Sequence, residues 1–201
     1  REIRYLGTDV LEAGLRRLRR RAEEGGSNQR VLGFRGDLTL GLPLPENSVD
    51  VVLAHFSLYT LPGEGERRKA LRLLGEVLRP SGRLVLVNPS KTYDPRAIVR
   101  ESLQLLHHRK GWFSAGWHRC FVYPFSLHLG LKFVARQLRS GRWKAYELDE
   151  LCREVEEAGF RIQHRETVYG GGAFLVTAGP EKPAGDLSGP ITRVALPAAS
   201  E

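Results

Sequence analysis

The feature that most constrains this chain is an alternation of short apolar runs with amphipathic ones. Ile3 to Asp9 is a β-prone run that closes on an acidic residue. From Leu11 to Glu24, residues Leu11, Leu15, Leu18 and Ala22 recur at helical spacing, and Gly25-Gly26-Ser27-Asn28 stops the pattern. Arg30 to Arg35 predicts a second strand, ending in Gly36-Asp37. Asp50 to His55 predicts a third, whose continuous apolar run suits a parallel strand covered on both faces. Glu66 to Leu78 predicts a helix stopped by Pro80-Ser81-Gly82, and Arg83 to Asn88 a fourth strand. Strand, helix, strand, strand, helix, strand is the order of an α/β layered fold with a mainly parallel sheet.

Beyond the fourth strand the texture changes. Residues 94–142 are rich in aromatics and histidines, with helical periodicity at Ile98 to Leu106 and Leu127 to Leu138, and predict a helical insertion or lid. Glu147 to Ala158 predicts an amphipathic helix ended by Gly159. Phe160 to Tyr169 and Ala173 to Ala178 predict a β-hairpin around Gly170-Gly171-Gly172. Residues 1–179 are thus expected to form one domain, with 180–201 as a proline-bearing disordered tail.

Composition narrows the class. Hydrophobic residues make up 41% and charged residues 27% of the 201, as in ordinary soluble domains, and no apolar run approaches the ~20 residues of a membrane span. Two cysteines, Cys120 and Cys152, are too few for a disulfide framework, so a cytoplasmic setting is the expectation. Methionine is absent, position 1 included, so the chain is expected to continue upstream of Arg1. His107, His108 and His118 have no cysteine or carboxylate cluster to complete a site, so no metal is expected. The net charge of +8 and the run Arg16, Arg17, Arg19, Arg20 and Arg21 suit either a solvated helix face or contact with an anionic membrane surface. No RNA-binding signature accompanies the charge, which argues against a nucleic-acid partner.

Two carboxylates stand where ligands of open α/β sheets bind, at the carboxyl ends of strands. Asp9 can accept from ribose hydroxyls or cap the following helix, and Asp37 can accept from an adenine amino group or belong to an ordinary Gly-Asp turn. The combination is more specific than either residue. Leu6-Gly7-Thr8-Asp9-Val10, Gly36-Asp37, the stretch Leu42-Pro43-Leu44-Pro45-Glu46-Asn47-Ser48-Val49-Asp50-Val51-Val52-Leu53, and Glu76-Val77-Leu78-Arg79-Pro80-Ser81-Gly82-Arg83-Leu84 occur in that order. Together with Glu157-Ala158-Gly159-Phe160 before the hairpin, this text resembles the class I S-adenosylmethionine-dependent methyltransferases, in particular the small-molecule and quinone-biosynthesis group. The resemblance spans about Ile3 to Ala178, with Ser81 in place of a family glycine.

The resemblance implies a Rossmann-like methyltransferase sheet with a C-terminal antiparallel hairpin, and S-adenosyl-L-methionine as cofactor. It implies that Asp9 binds the ribose, Val10 packs on the adenine, Asp37 and the Leu38 backbone read the adenine edge, and Ala54, His55 and Phe56 line the methionyl end. His55 would be a general base or a hydrogen-bonded pocket residue. The aromatic set of Tyr59, Trp112, Trp117 and Tyr123 would be an acceptor pocket or the insertion's own packing, and a small apolar or amphipathic acceptor is expected. The family's glycine-rich loop and first strand-helix unit have no counterpart here, so the expectation is an N-terminally truncated enzyme. The alternatives are a non-catalytic binding module derived from a methyltransferase, and a nicotinamide-dependent reductase, which the Leu78-Arg79-Pro80-Ser81-Gly82 turn and terminal hairpin fit poorly. Asn/Asp-Pro-Pro-Tyr, the signature of amino-methylating nucleic-acid enzymes, is replaced by Ala54-His55-Phe56-Ser57.

Overall fold

The structure is a computed structural model that describes residues 3–102, 104 and 130–181. Its described elements run β1 (Tyr5–Asp9), α1 (Glu12–Glu24), β2 (Val31–Arg35), β3 (Val49–His55), α2 (Glu64–Val77), β4 (Leu78–Pro89), α3 (residues 95–102), α4 (Lys132–Arg139), α5 (Leu148–Glu157), β5 (Phe160–Val168) and β6 (Ala173–Pro180). The expected α/β order and terminal hairpin are present. Trp112, Trp117, Tyr123 and the histidines His107, His108 and His118 lie outside the described residues, as do residues 182–201.

The strands form two sheets. β1 and β2 pair in parallel, Gly7 opposite Gly33. The other sheet has the order β3-β4-β6-β5, with β3 parallel to β4 and β6 antiparallel to both β4 and β5. The Gly7–Gly33 pair has a packing reason: a side chain at Gly7 would overlap Leu18 of α1, and one at Gly33 would press on Leu15 and Leu18. Missing β-carbons on facing residues let the apolar stripe of α1 sit directly on the two-stranded sheet.

The main core lies between the four-stranded sheet and helices α2 and α5. Ala70, Leu71 and Leu74 of α2 and Leu151 and Val155 of α5 bury against Leu84, Leu86, Phe160, Val176 and Ala178. Gly75 on α2 leaves room for the Phe160 ring, whose Cζ lies 3.3 Å from where a β-carbon would be. Across this layer Arg67 of α2 donates from Nε to Glu154 Oε1 of α5 at 2.8 Å, with both side chains buried. Beside them, burial first and Glu154 second push the Tyr146 phenol pKa far above its usual value.

Two sequence expectations need correction. β4 begins at Leu78, directly after α2, so Pro80-Ser81-Gly82 belongs to the strand as a bulge; pairing jumps from Val49↔Leu78 to Val51↔Arg83. The third strand is not covered on both faces: Val51 and Leu53, which share one face of β3, are 57% and 58% exposed, because no described element packs over that face. Among the described residues β1 pairs with β2 alone, and Tyr5 and Leu6 are exposed. The hairpin also runs past the expected boundary to Pro180, and the Glu181 amide bonds the Gly159 carbonyl at 2.9 Å.

Removing one partner of a buried ion pair strands the other without water. Arg67→Met or Glu154→Leu alone should destabilise the fold by about 3–5 kcal/mol, and the double replacement should recover most of the loss. Urea unfolding of the three variants measures this; a double variant whose loss equals the sum of the two single losses would show that the pair contributes no coupling.

Candidate functional site

The carboxyl ends of β1 and β2 are held close by their own backbone: Asp9 O accepts from Gly36 N at 3.2 Å, and Arg35 Nε donates to Val10 O at 3.1 Å. Asp9 Oδ1 accepts from Leu11 N at 2.9 Å, and its Oδ2 lies against Gly14, where a β-carbon would overlap it. Asp9 thus caps the turn into α1 and faces the first turn of that helix. Thr8 Oγ1 next to it is buried with no hydrogen-bond partner. Asp37 makes an Asx turn, its Oδ1 accepting from Thr39 N at 2.8 Å and Thr39 Oγ1 at 2.7 Å. Those bonds hold the Asp37 carboxyl pKa below its ordinary value, so it is a permanent acceptor near neutrality. Leu38 packs on the main core, whereas Val10 is 49% exposed.

The carboxyl end of β3 carries a second group of residues. Ala54 is buried, His55 ends the strand, and Phe56 turns the chain with φ +49° while its amide bonds Val87 O at 2.9 Å. A positive φ at an aromatic residue is a strained conformation of the kind that collects at functional turns. Tyr169, at the tip of the β5–β6 hairpin, has φ +55° and brings its hydroxyl 2.9 Å from His55 Nε2. The Phe56 ring stacks obliquely on Tyr169 at 5.8 Å and edge-on against Tyr59 at 5.9 Å. Loss of water around His55 pushes its pKa below 6.5, so the ring is neutral at pH 7.

The hairpin tip is tied to the end of β4. Ser90 N donates to Gly172 O at 3.0 Å, Ser90 Oγ to Gly171 O at 2.5 Å and Thr92 Oγ1 to Gly171 O at 3.0 Å. Gly170 and Gly172 press against Ala97 and Ile98 of α3, and Gly170 and Gly171 have φ +60° and +89°. Asn88, near the end of β4, is buried and its Oδ1 has no hydrogen-bond partner.

The structure therefore gathers Asp9, Val10 and Asp37 at one pair of strand ends, and Ala54, His55, Phe56 and Tyr59 at another. Sequence reasoning missed Tyr169 and Trp143. The ring of Trp143 meets Tyr59 edge-on at 5.4 Å, and both missed residues reach the group from segments distant in sequence.

Comparisons with known proteins bear on the fold. Residues 1–86 match the family model described as a methyltransferase domain. No curated protein matches the chain by sequence. A SAM-dependent methyltransferase from Aquifex aeolicus superposes with a TM-score of 0.56 at 19% identity, over 87% of this chain and 68% of that one. The 4+2 cyclase SpnF superposes with a TM-score of 0.58 at 16% identity, over 89% of this chain and 67% of the cyclase. An O-methyltransferase from neocarzinostatin biosynthesis, solved with S-adenosyl-L-homocysteine and 1,4-dihydroxy-2-naphthoic acid, gives 0.56 at 14% identity, over 87% of this chain but 41% of its own length.

An imidazole with a lowered pKa makes the folded state bind its proton less readily than the unfolded state. The sign follows: stability is unaffected by His55 well above pH 6.5 and falls as the pH drops from 6.5 toward the lower folded pKa. NMR titration of His55 should give a midpoint below 6.5, moving back toward 6.5 in Tyr169→Ala. An unshifted midpoint in the parent protein would show that His55 is not shielded from water at this end of β3.

Proposed function

Starting from a chain whose residues 1–86 match a methyltransferase domain and whose fold is the Rossmann-like methyltransferase one, we propose that the protein transfers a methyl group to a small acceptor. The observation that supports this most is the placement of Asp9 and Asp37 at the carboxyl ends of two hydrogen-bonded parallel strands. S-adenosyl-L-methionine, when bound, supplies a methyl on a sulfonium, so the chain's task is to position the acceptor and exclude water.

The residues at the adenosine end fit that cofactor. Asp37 stays ionised and keeps Oδ2 outside its Asx turn, the Asp9 carboxylate is held in place by the Leu11 amide, and the buried Thr8 hydroxyl has no hydrogen-bond partner among the described residues. Asp9 would accept from the ribose hydroxyls, Val10 would cover the adenine, and Asp37 with the Leu38 backbone would read its edge. Ala54, His55 and Phe56 would line the methionyl end. His55, neutral near pH 7 and hydrogen-bonded to Tyr169, would hold or take a proton from the acceptor's nucleophile. The apolar rings of Phe56, Tyr59 and Trp143 suit a small apolar or amphipathic acceptor.

β1 and β3 are both edge strands with exposed apolar side chains, and parallel sheets of this class are normally covered on both faces. The complete enzyme, in this reading, has a further strand paired with those edges. A second reading, a non-catalytic binding module, is favoured by the same two bare edges and by the engagement of Asp9 with its own helix. The cyclase's similarity is a reminder that the fold by itself does not specify the reaction.

Calorimetric titration of S-adenosyl-L-homocysteine separates the two readings. It should bind, and binding should tighten when the chain is extended by about 30 to 50 residues of its natural upstream sequence, enough for one strand-helix unit. Asp9→Ala should weaken binding by about 1–3 kcal/mol through unpaired ribose hydroxyls, with thermal melts reporting separately on the lost cap. No binding by either form would favour the module.

A further inference from the structure

A cavity of about 520 Å³ lies beside the aromatic group, between α2, the segment after β4, and α4 with the residues that follow it. Its size falls within the range of small-molecule sites, roughly 300–1,000 Å³. Part of its wall is apolar: Ala135 and Leu138 of α4, and Trp143, whose ring is braced edge-on by Tyr59 and by Phe133. The Tyr93 phenol, its pKa pushed up to about 12 by burial and by nearby Tyr59, remains a neutral donor in that wall.

The charged part of the lining is strongly one-sided. Glu64 is its one acidic residue among the described residues, and Glu64 is already paired with Arg68. Arg67 is satisfied by Glu154, and Lys91 and Lys144 share Glu150. Arg139 and Arg142, by contrast, form no ion pair among the described residues. Arg139 closes the last turn of α4, where a cation also complements the helix dipole, but Arg142 lies beyond the helix, after a turn at Gly141 with φ +71°. Two guanidiniums without an acidic partner on the lining of one half-apolar cavity give it the charge to take an oxyanion.

The cavity shares its wall with the candidate site. Trp143 touches Tyr59, Tyr59 touches Phe56, and Phe56 meets His55 at 4.8 Å. Ser90, on the lining, is the residue that holds the hairpin tip carrying Tyr169. The Lys144 amide bonds the Tyr59 carbonyl at 3.0 Å, which fixes the 143–146 segment to the same turn.

We propose that this cavity binds the acceptor's acidic end: a molecule with an apolar body packed on Trp143 and Leu138 and a terminal carboxylate held by Arg139 and Arg142. The word acceptor rests on the methyl-transfer reading; the preference for an apolar carboxylate does not, and is read by binding alone.

The test is calorimetric titration of the 201-residue chain with 2-naphthoate, the uncharged 2-naphthamide and inorganic phosphate. Expected is binding of 2-naphthoate, weakened about tenfold or more by Arg139→Gln/Arg142→Gln and comparably weak for the amide, with phosphate weaker still. Both arginines are exposed, so the double variant should fold, and a thermal melt checks that. Arg16→Gln/Arg17→Gln, on the far-off basic helix α1, controls for net charge and should bind as the parent does. Equal affinity for acid and amide, an unaffected double variant, an equal loss in the α1 control, or no binding of 2-naphthoate would overturn the proposal. Displacement of 2-naphthoate by equimolar phosphate would also overturn it, as the mark of a bare-anion site. Titration of S-adenosyl-L-homocysteine into this chain and its upstream-extended form in parallel keeps the two readings apart: failure of both with naphthoate binding retained would refute methyl transfer and leave the cavity's specificity standing.

Discussion

The architecture depends on one strand lying between neighbours of opposite direction. β4 pairs in parallel with β3 from Val51↔Arg83 to His55↔Val87, and antiparallel with β6 from Leu84↔Ala178 to Pro89↔Ala173. Its inward residues Leu84 and Leu86 are almost fully buried beneath α2 and α5. Because β6 reverses direction, the β5–β6 turn comes to the same end of the sheet as the carboxyl ends of β3 and β4. That reversal is what places Tyr169 within hydrogen-bonding reach of His55, 114 positions away in sequence.

Much of this was legible in the sequence because local chemistry and global pattern agree. The strand-helix alternation, the Gly159 stop and the triple-glycine hairpin each follow from periodicity and turn chemistry. Asp9 and Asp37 were legible as strand-end carboxylates, although both also make Asx turns to the amide two residues on, as short acidic side chains before turns often do. Less legible were contacts made through space. Trp143 sits two residues beyond Gly141 with no periodic neighbour to mark it, and its role comes from packing on Tyr59. The extension of β4 through Pro80 to Gly82 was hidden because those residues read as a turn, and they are accommodated as a bulge opposite Asp50.

The apolar run at Asp50 to His55 misled for an instructive reason. A run of Val and Leu reports how a strand is built to be covered, while exposure reports what covers it. In this structure the two disagree at Val51 and Leu53, and at Tyr5 and Leu6 on the other bare edge. Exposed apolar edges of that kind are normally blunted by charge, proline or a covering element. On β3 the charge next to Val51 is Asp50, already engaged by Arg79.

The clamp at the hairpin tip has a mechanical meaning. Ser90 and Thr92 grip the Gly171 carbonyl, Ser90 also forms part of the cationic cavity's wall, and Tyr169 is two residues from that carbonyl. The glycines at 170 and 172 fit so closely against Ala97 and Ile98 that the tip has little room to tilt on its own. Cavity wall and His55 partner are therefore mounted on a single hinge pin. The same serine thus bounds the cavity and anchors the turn that carries the Tyr169 hydroxyl to the imidazole, so the two halves of the site share one point of attachment.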